Sequence, residues 1–82
     1  MGKLEKRVAS MRRSPANQSF DDVLAVCRVY FGAPRQTGGS HVVFAMPWEG
    51  DPRVNIQNRK GMVPAYQVRQ VLAAIDRWEE GR

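Results

Sequence analysis

Between Ser19 and Phe31 the apolar residues Phe20, Val23, Leu24, Cys27 and Phe31 recur at helical spacing. Ser19 suits the N-cap of that helix, and Asp22 stands three residues on, where a capping-box acid belongs. Asp21 and Asp22 also suit the positive end of the helix dipole. Gly32 is the stop, reinforced by Pro34. Val68, Val71, Leu72 and Ile75 at i, i+3, i+4 and i+7 predict a second helix over about 64–78, with Pro64 suited to its first turn. Glu79 to Arg82 read as a frayed tail. Between these helices the period changes. Arg53 to Gln57 alternates polar and apolar, the pattern of a half-buried strand. His41 to Met46 is apolar and β-rich and predicts its antiparallel partner across the loop from Pro47 to Pro52. Arg35-Gln36-Thr37 suits a short edge strand, Gly38-Gly39-Ser40 a tight turn, and Asn58-Arg59-Lys60-Gly61 a basic turn. Upstream, Leu4, Val8 and Met11 place a narrow apolar stripe on a basic helix over Met1–Arg13. That helix either docks on the body or stays frayed, and the segment from Ser14 to Gln18 separates it from the rest.

These elements predict an α+β domain. A small antiparallel sheet of two or three strands carries two helices on one face, preceded by an extra N-terminal helix. The expected division is a basic N-terminal helix or arm over 1–17 and a folded domain over 18–82. With 82 residues the chain supports one core and no more. At this size the buried fraction of its surface is low and its stability modest. Hydrophobic residues make up 43% and charged residues 26%, which argues against wholesale disorder.

The net charge of +5 points to a polyanionic partner, nucleic acid first among them. Its distribution weakens that inference for the body. Five cations against Glu5 leave +4 in the first 14 residues, while the other 68, with eight cations and seven acids, carry +1. One cysteine and one histidine exclude a disulfide framework, a multi-cysteine metal site and a His/His zinc site. The expectation is no metal and no cofactor. No apolar run approaches a membrane span and the N-terminus has no secretory signal pattern, so no membrane association and a cytoplasmic location are expected.

Few residues carry chemistry. The acid pairs Asp21/Asp22 and Glu79/Glu80 sit at helix ends, where dipole and solvation roles explain them. Cys27 lies on a core stripe and reads as a buried structural thiol. Trp48 reads as cover over the sheet edge and Trp78 as packing at the end of the last helix. His41 is the informative residue, because histidine moves protons near neutral pH. It follows Gly38-Gly39-Ser40, where glycine lets a phosphodiester backbone approach closely. Arg35, Arg59 and Lys60 stand in neighbouring loops as phosphate contacts. That set suits RNA cleavage: the histidine transfers a proton, the cations stabilise phosphate charge, and the RNA supplies its own 2′-hydroxyl as nucleophile. A lone histidine at a strand start is also compatible with a purely structural role.

Gly39-Ser40-His41-Val42-Val43-Phe44 resembles the Gly-Ser-His motif and following apolar strand of HicA-type toxins. The helix ending in Phe31-Gly32, the alternating strand Arg53 to Gln57, the basic turn with Gly61 and the Pro64-initiated helix extend the resemblance over about Phe20 to Asp76. The segment from Met1 to about Asn17 has no counterpart in that family. The resemblance implies a double-stranded-RNA-binding-domain-like fold ordered α-β-β-β-α. It also implies endoribonuclease activity on mRNA within a toxin–antitoxin module, and neutralisation by direct binding of a HicB-type antitoxin. His41 matches the family's catalytic histidine, flanked by Gly39 and Ser40. Two other readings stay open: a non-catalytic RNA-binding module of the same fold, and a protein-interaction domain anchored by Trp48 or Trp78.

Overall fold

In the computed structural model, which describes residues 2–46 and 53–80, the apolar stripes become three helices. They are α1 (Lys3–Arg13), α2 (Phe20–Phe31) and α3 (Ala65–Glu80). Local signals set the ends of α2. The Ser19 hydroxyl oxygen accepts the Asp22 backbone N–H at 3.2 Å, and Gly32 closes the helix with φ +82°. The end of α3 departs from the sequence pattern, because Glu79 and Glu80 are helical rather than frayed. A tertiary contact accounts for this. Trp78 stands edge-on to Phe31 with ring centroids 5.6 Å apart, which fastens the last turn to α2.

Strands β2 (His41–Ala45) and β3 (Arg53–Gln57) form an antiparallel pair, with His41 opposite Gln57 and Ala45 opposite Arg53. A three-residue strand, β1 (Gln36–Gly38), runs along the other edge of β2 with Gly38 opposite His41. The edge strand expected at 35–37 is thus shifted by one residue. Gly38 joins the ladder and the turn shrinks to Gly39-Ser40. The strand expected to reach Met46 ends at Ala45. The loop expected at 47–52, with Trp48, lies outside the described residues, as do Gly81 and Arg82.

The architecture is a small α+β fold of three helices and an antiparallel sheet. Its core follows from the period-two pattern of the strands. Val42, Phe44, Val54 and Ile56 are buried against Val23, Val26 and Cys27 of α2 and Val68, Val71 and Ile75 of α3. Alternation turns His41, Val43, Ala45, Arg53, Asn55 and Gln57 to the opposite, open face.

Of the two fates open to the N-terminal helix, the structure has it docked. Met11 is fully buried in the same core, and Leu4 and Val8 pack against it. The buried Gln18 amide donates to the carbonyls of Ser10 (3.0 Å) and Ser14 (2.9 Å), fixing the break between α1 and α2. Arg7 pairs with Asp22 at 3.6 Å and Arg12 with Asp76 at 2.6 Å. The hydrogen bond from Arg12 holds the Asp76 carboxyl below the ordinary carboxylate range. A carboxylate depressed in this way contributes stability at neutral pH, lost as pH falls through its lowered value. Because both partners are exposed, the contribution is at most about 1 kcal/mol. Among the described residues, no helix is long and apolar enough to cross a membrane.

Candidate functional site

Two turns meet at one end of the sheet. The first is Gly39-Ser40, between β1 and β2, where Gly39 has φ +55°. That is the left-handed region, which glycine enters without steric cost. The second follows β3. Arg59 N–H donates to Met62 O at 2.8 Å and Met62 N–H to Arg59 O at 3.0 Å, closing a two-residue turn over Lys60 and Gly61. Both central residues have positive φ, +53° and +86°, as the type I′ turn requires. The Asn58 side-chain oxygen braces it by accepting Gly61 N–H at 2.7 Å. Asn58 N–H donates to Ser40 O at 2.8 Å, so a backbone hydrogen bond ties the two turns together.

His41 begins β2 at this junction. It is exposed on the open face, with Gly38 and Gln57 as its ladder neighbours. The structure therefore gathers Gly39, Ser40, His41, Arg59 and Lys60, all exposed, at one end of the sheet. Neither Arg59 nor Lys60 forms an ion pair among the described residues. The first turn of α2 lies beside them, since Phe20 N–H donates to Gly61 O at 2.8 Å. It brings Asp21 and Asp22, of which Asp22 is engaged by Arg7. Arg35 is placed elsewhere. Its N–H donates to Val43 O, and it precedes Gln36, the partner of Val43. Three ladder steps at ~3.3 Å each put it about 10 Å along the sheet from His41. The edge-strand register, not the length of the intervening turn, decides that distance.

Lys60 is the one described non-glycine residue with positive φ. Left-handed backbone costs an ordinary L-residue roughly 1 kcal/mol, and Asn-Gly is the pairing such turns prefer. Lys60→Asn is expected to raise stability by about 0.5–1 kcal/mol, read as a higher denaturant midpoint at unchanged slope. A lower midpoint would show that the lysine stem packs on the fold and offsets its backbone strain.

One residue near the site was not legible in the sequence. Gln67, only 3% exposed, accepts the Gln57 backbone N–H at 2.7 Å and donates to the Tyr66 hydroxyl at 3.3 Å. The one available signal was a glutamine adjoining the apolar stripe next to Val68. Cys27 is buried as expected, and burial pushes its thiol pKa up to about 12, far from a reactive thiolate. Trp78 is half-buried, its ring edge-on to Phe31. An open groove of about 370 Å³ runs between β3 and α3, lined by Met46, Arg53, Val54, Ala74 and Arg77. It lies toward the Ala45–Arg53 end of the ladder, away from His41.

No protein family, curated protein or solved structure matches this chain.

Proposed function

We propose that this chain is a HicA-like toxin: an endoribonuclease that cuts mRNA without a metal ion and is neutralised by a HicB-like antitoxin. The observation that carries the reading is the position of His41. It is exposed at the start of β2, between the Gly39-Ser40 turn and the Asn58–Gly61 turn, which a backbone hydrogen bond joins. The order α2-β1-β2-β3-α3 supports the α-β-β-β-α, double-stranded-RNA-binding-domain-like fold within residues 18–82, with α1 as an added helix.

The chemistry uses the RNA's own nucleophile. The 2′-oxygen attacks the adjacent phosphorus as its proton leaves, and the bond from phosphorus to the 5′-oxygen breaks as that oxygen gains a proton. The products are a 2′,3′-cyclic phosphate and a 5′-hydroxyl. His41 takes the first proton or gives the second. A single histidine is committed to one of these steps at a time, so water or the substrate serves the other. Gly39 and Ser40 let the phosphodiester approach and offer it a hydroxyl. Arg59 and Lys60 hold flanking phosphates, and Arg35 meets the strand farther along the sheet. An antitoxin that covers the open face at His41 shuts off access to RNA.

This mechanism requires a 2′-hydroxyl. The protein is expected to cut a long single-stranded RNA into fragments ending in 2′,3′-cyclic phosphate and to leave DNA of the same sequence intact. Comparable cutting of the DNA would contradict it. Salt-sensitive retention of RNA with no cutting would make the chain an RNA-binding module instead.

A further inference from the structure

Tyr66 stands in the first turn of α3 with 55% of its surface exposed, a large aromatic ring that the core does not use. Its position is nonetheless held. The buried Gln67 amide donates to the Tyr66 hydroxyl at 3.3 Å while its oxygen takes the Gln57 N–H at 2.7 Å. Gln57 is the residue paired across the ladder with His41. Two hydrogen bonds through one buried side chain thus connect the phenol to the strand end that faces the histidine. On the chain segment between them lie the exposed cations Arg59 and Lys60 and the exposed Met62. A cationic track beside an exposed, anchored aromatic ring is the arrangement by which proteins hold single-stranded nucleic acid. The cations follow the backbone and the ring stacks on a base.

We infer that Tyr66 is a stacking platform for an unpaired base, so that the site takes single-stranded RNA in preference to duplex. The inference rests on the reading of this site as one that binds RNA, and it adds the residue that holds an unpaired base. Bases inside a duplex are already stacked on each other and cannot reach a ring on the protein surface, whereas a single strand can splay one out. An exposed tyrosine also anchors protein partners. The exposed Arg59 and Lys60 on the segment leading to α3 favour RNA here, because a phosphodiester strand uses cations and an exposed ring together.

The test uses the His41→Ala protein, in which cutting is expected to be lost. It measures fluorescence anisotropy with a labelled, unstructured RNA of about twelve nucleotides and with its blunt duplex. The single strand is expected to bind at least tenfold tighter. Tyr66→Ala on that background should weaken single-strand binding by about 5- to 150-fold, with duplex binding unchanged. Tyr66→Phe keeps the ring and should stay within about threefold of the parent. Unchanged single-strand binding by Tyr66→Ala overturns the inference. So does an equal loss for single strand and duplex, or no RNA binding at all. Cutting is scored separately on the protein with His41 intact. If that protein binds in a Tyr66-dependent way but never cuts, the platform stands and the ribonuclease reading falls.

Discussion

Phe44→Ala is expected to remove about 3–5 kcal/mol of stability. Phe44 is fully buried in β2, and its ring centroid lies 5.9 Å from that of Phe31, which in turn contacts Trp78. The residue therefore links the sheet to α2 and, through Phe31, to the end of α3. For 82 residues, a typical total stability is only ~4–12 kcal/mol. The variant should sit near or below its folding threshold at 37 °C, with lost cooperativity in thermal unfolding. Phe44→Leu preserves most of the apolar volume and should lose about 1–2 kcal/mol. An alanine variant whose denaturant midpoint stays within about 1 kcal/mol of wild type would show that the Phe31–Phe44–Trp78 cluster is not what joins the layers.

His41→Ala is expected to lower RNA cleavage by about 10²- to 10⁴-fold, the usual cost of losing a general acid or base. The same substitution should hardly disturb the fold. The side chain is exposed on the open face, and its place opposite Gly38 and Gln57 is set by strand register rather than by the imidazole. A surface change of this kind shifts stability by about 0.5 kcal/mol or less. The expected signature is therefore an unchanged unfolding curve with activity nearly gone. Activity and stability falling together would make His41 a structural residue.

Much of this was legible because it is local. Ser19, Asp22 and Gly32 mark the ends of α2 through contacts within four residues, and the alternation of Arg53 to Gln57 encodes both a strand and the face it buries. Gly39, Ser40 and His41 were readable together because they are contiguous. What escaped depends on tertiary contacts. The length of α3 follows from Trp78 meeting Phe31, and the docking of α1 from Met11 entering a core built by the other elements. The position of Arg35 depends on strand register, which shifted when Gly38, a residue that reads as turn, paired with His41. Gln67 escaped because a glutamine reads as surface until its two partners, Gln57 and Tyr66, are seen around it. Arg59 and Lys60 lie at the same end of the sheet as His41 because the hydrogen bond from Asn58 to Ser40 joins the two turns.

Cleavage of a long single-stranded RNA in EDTA by the wild-type protein beside His41→Ala, with both proteins first verified as folded, decides whether His41 is a catalytic residue. The wild type is expected to cut and the variant to leave the RNA intact. Equal cutting by the two would contradict the role of His41, and no cutting by either would contradict the ribonuclease itself.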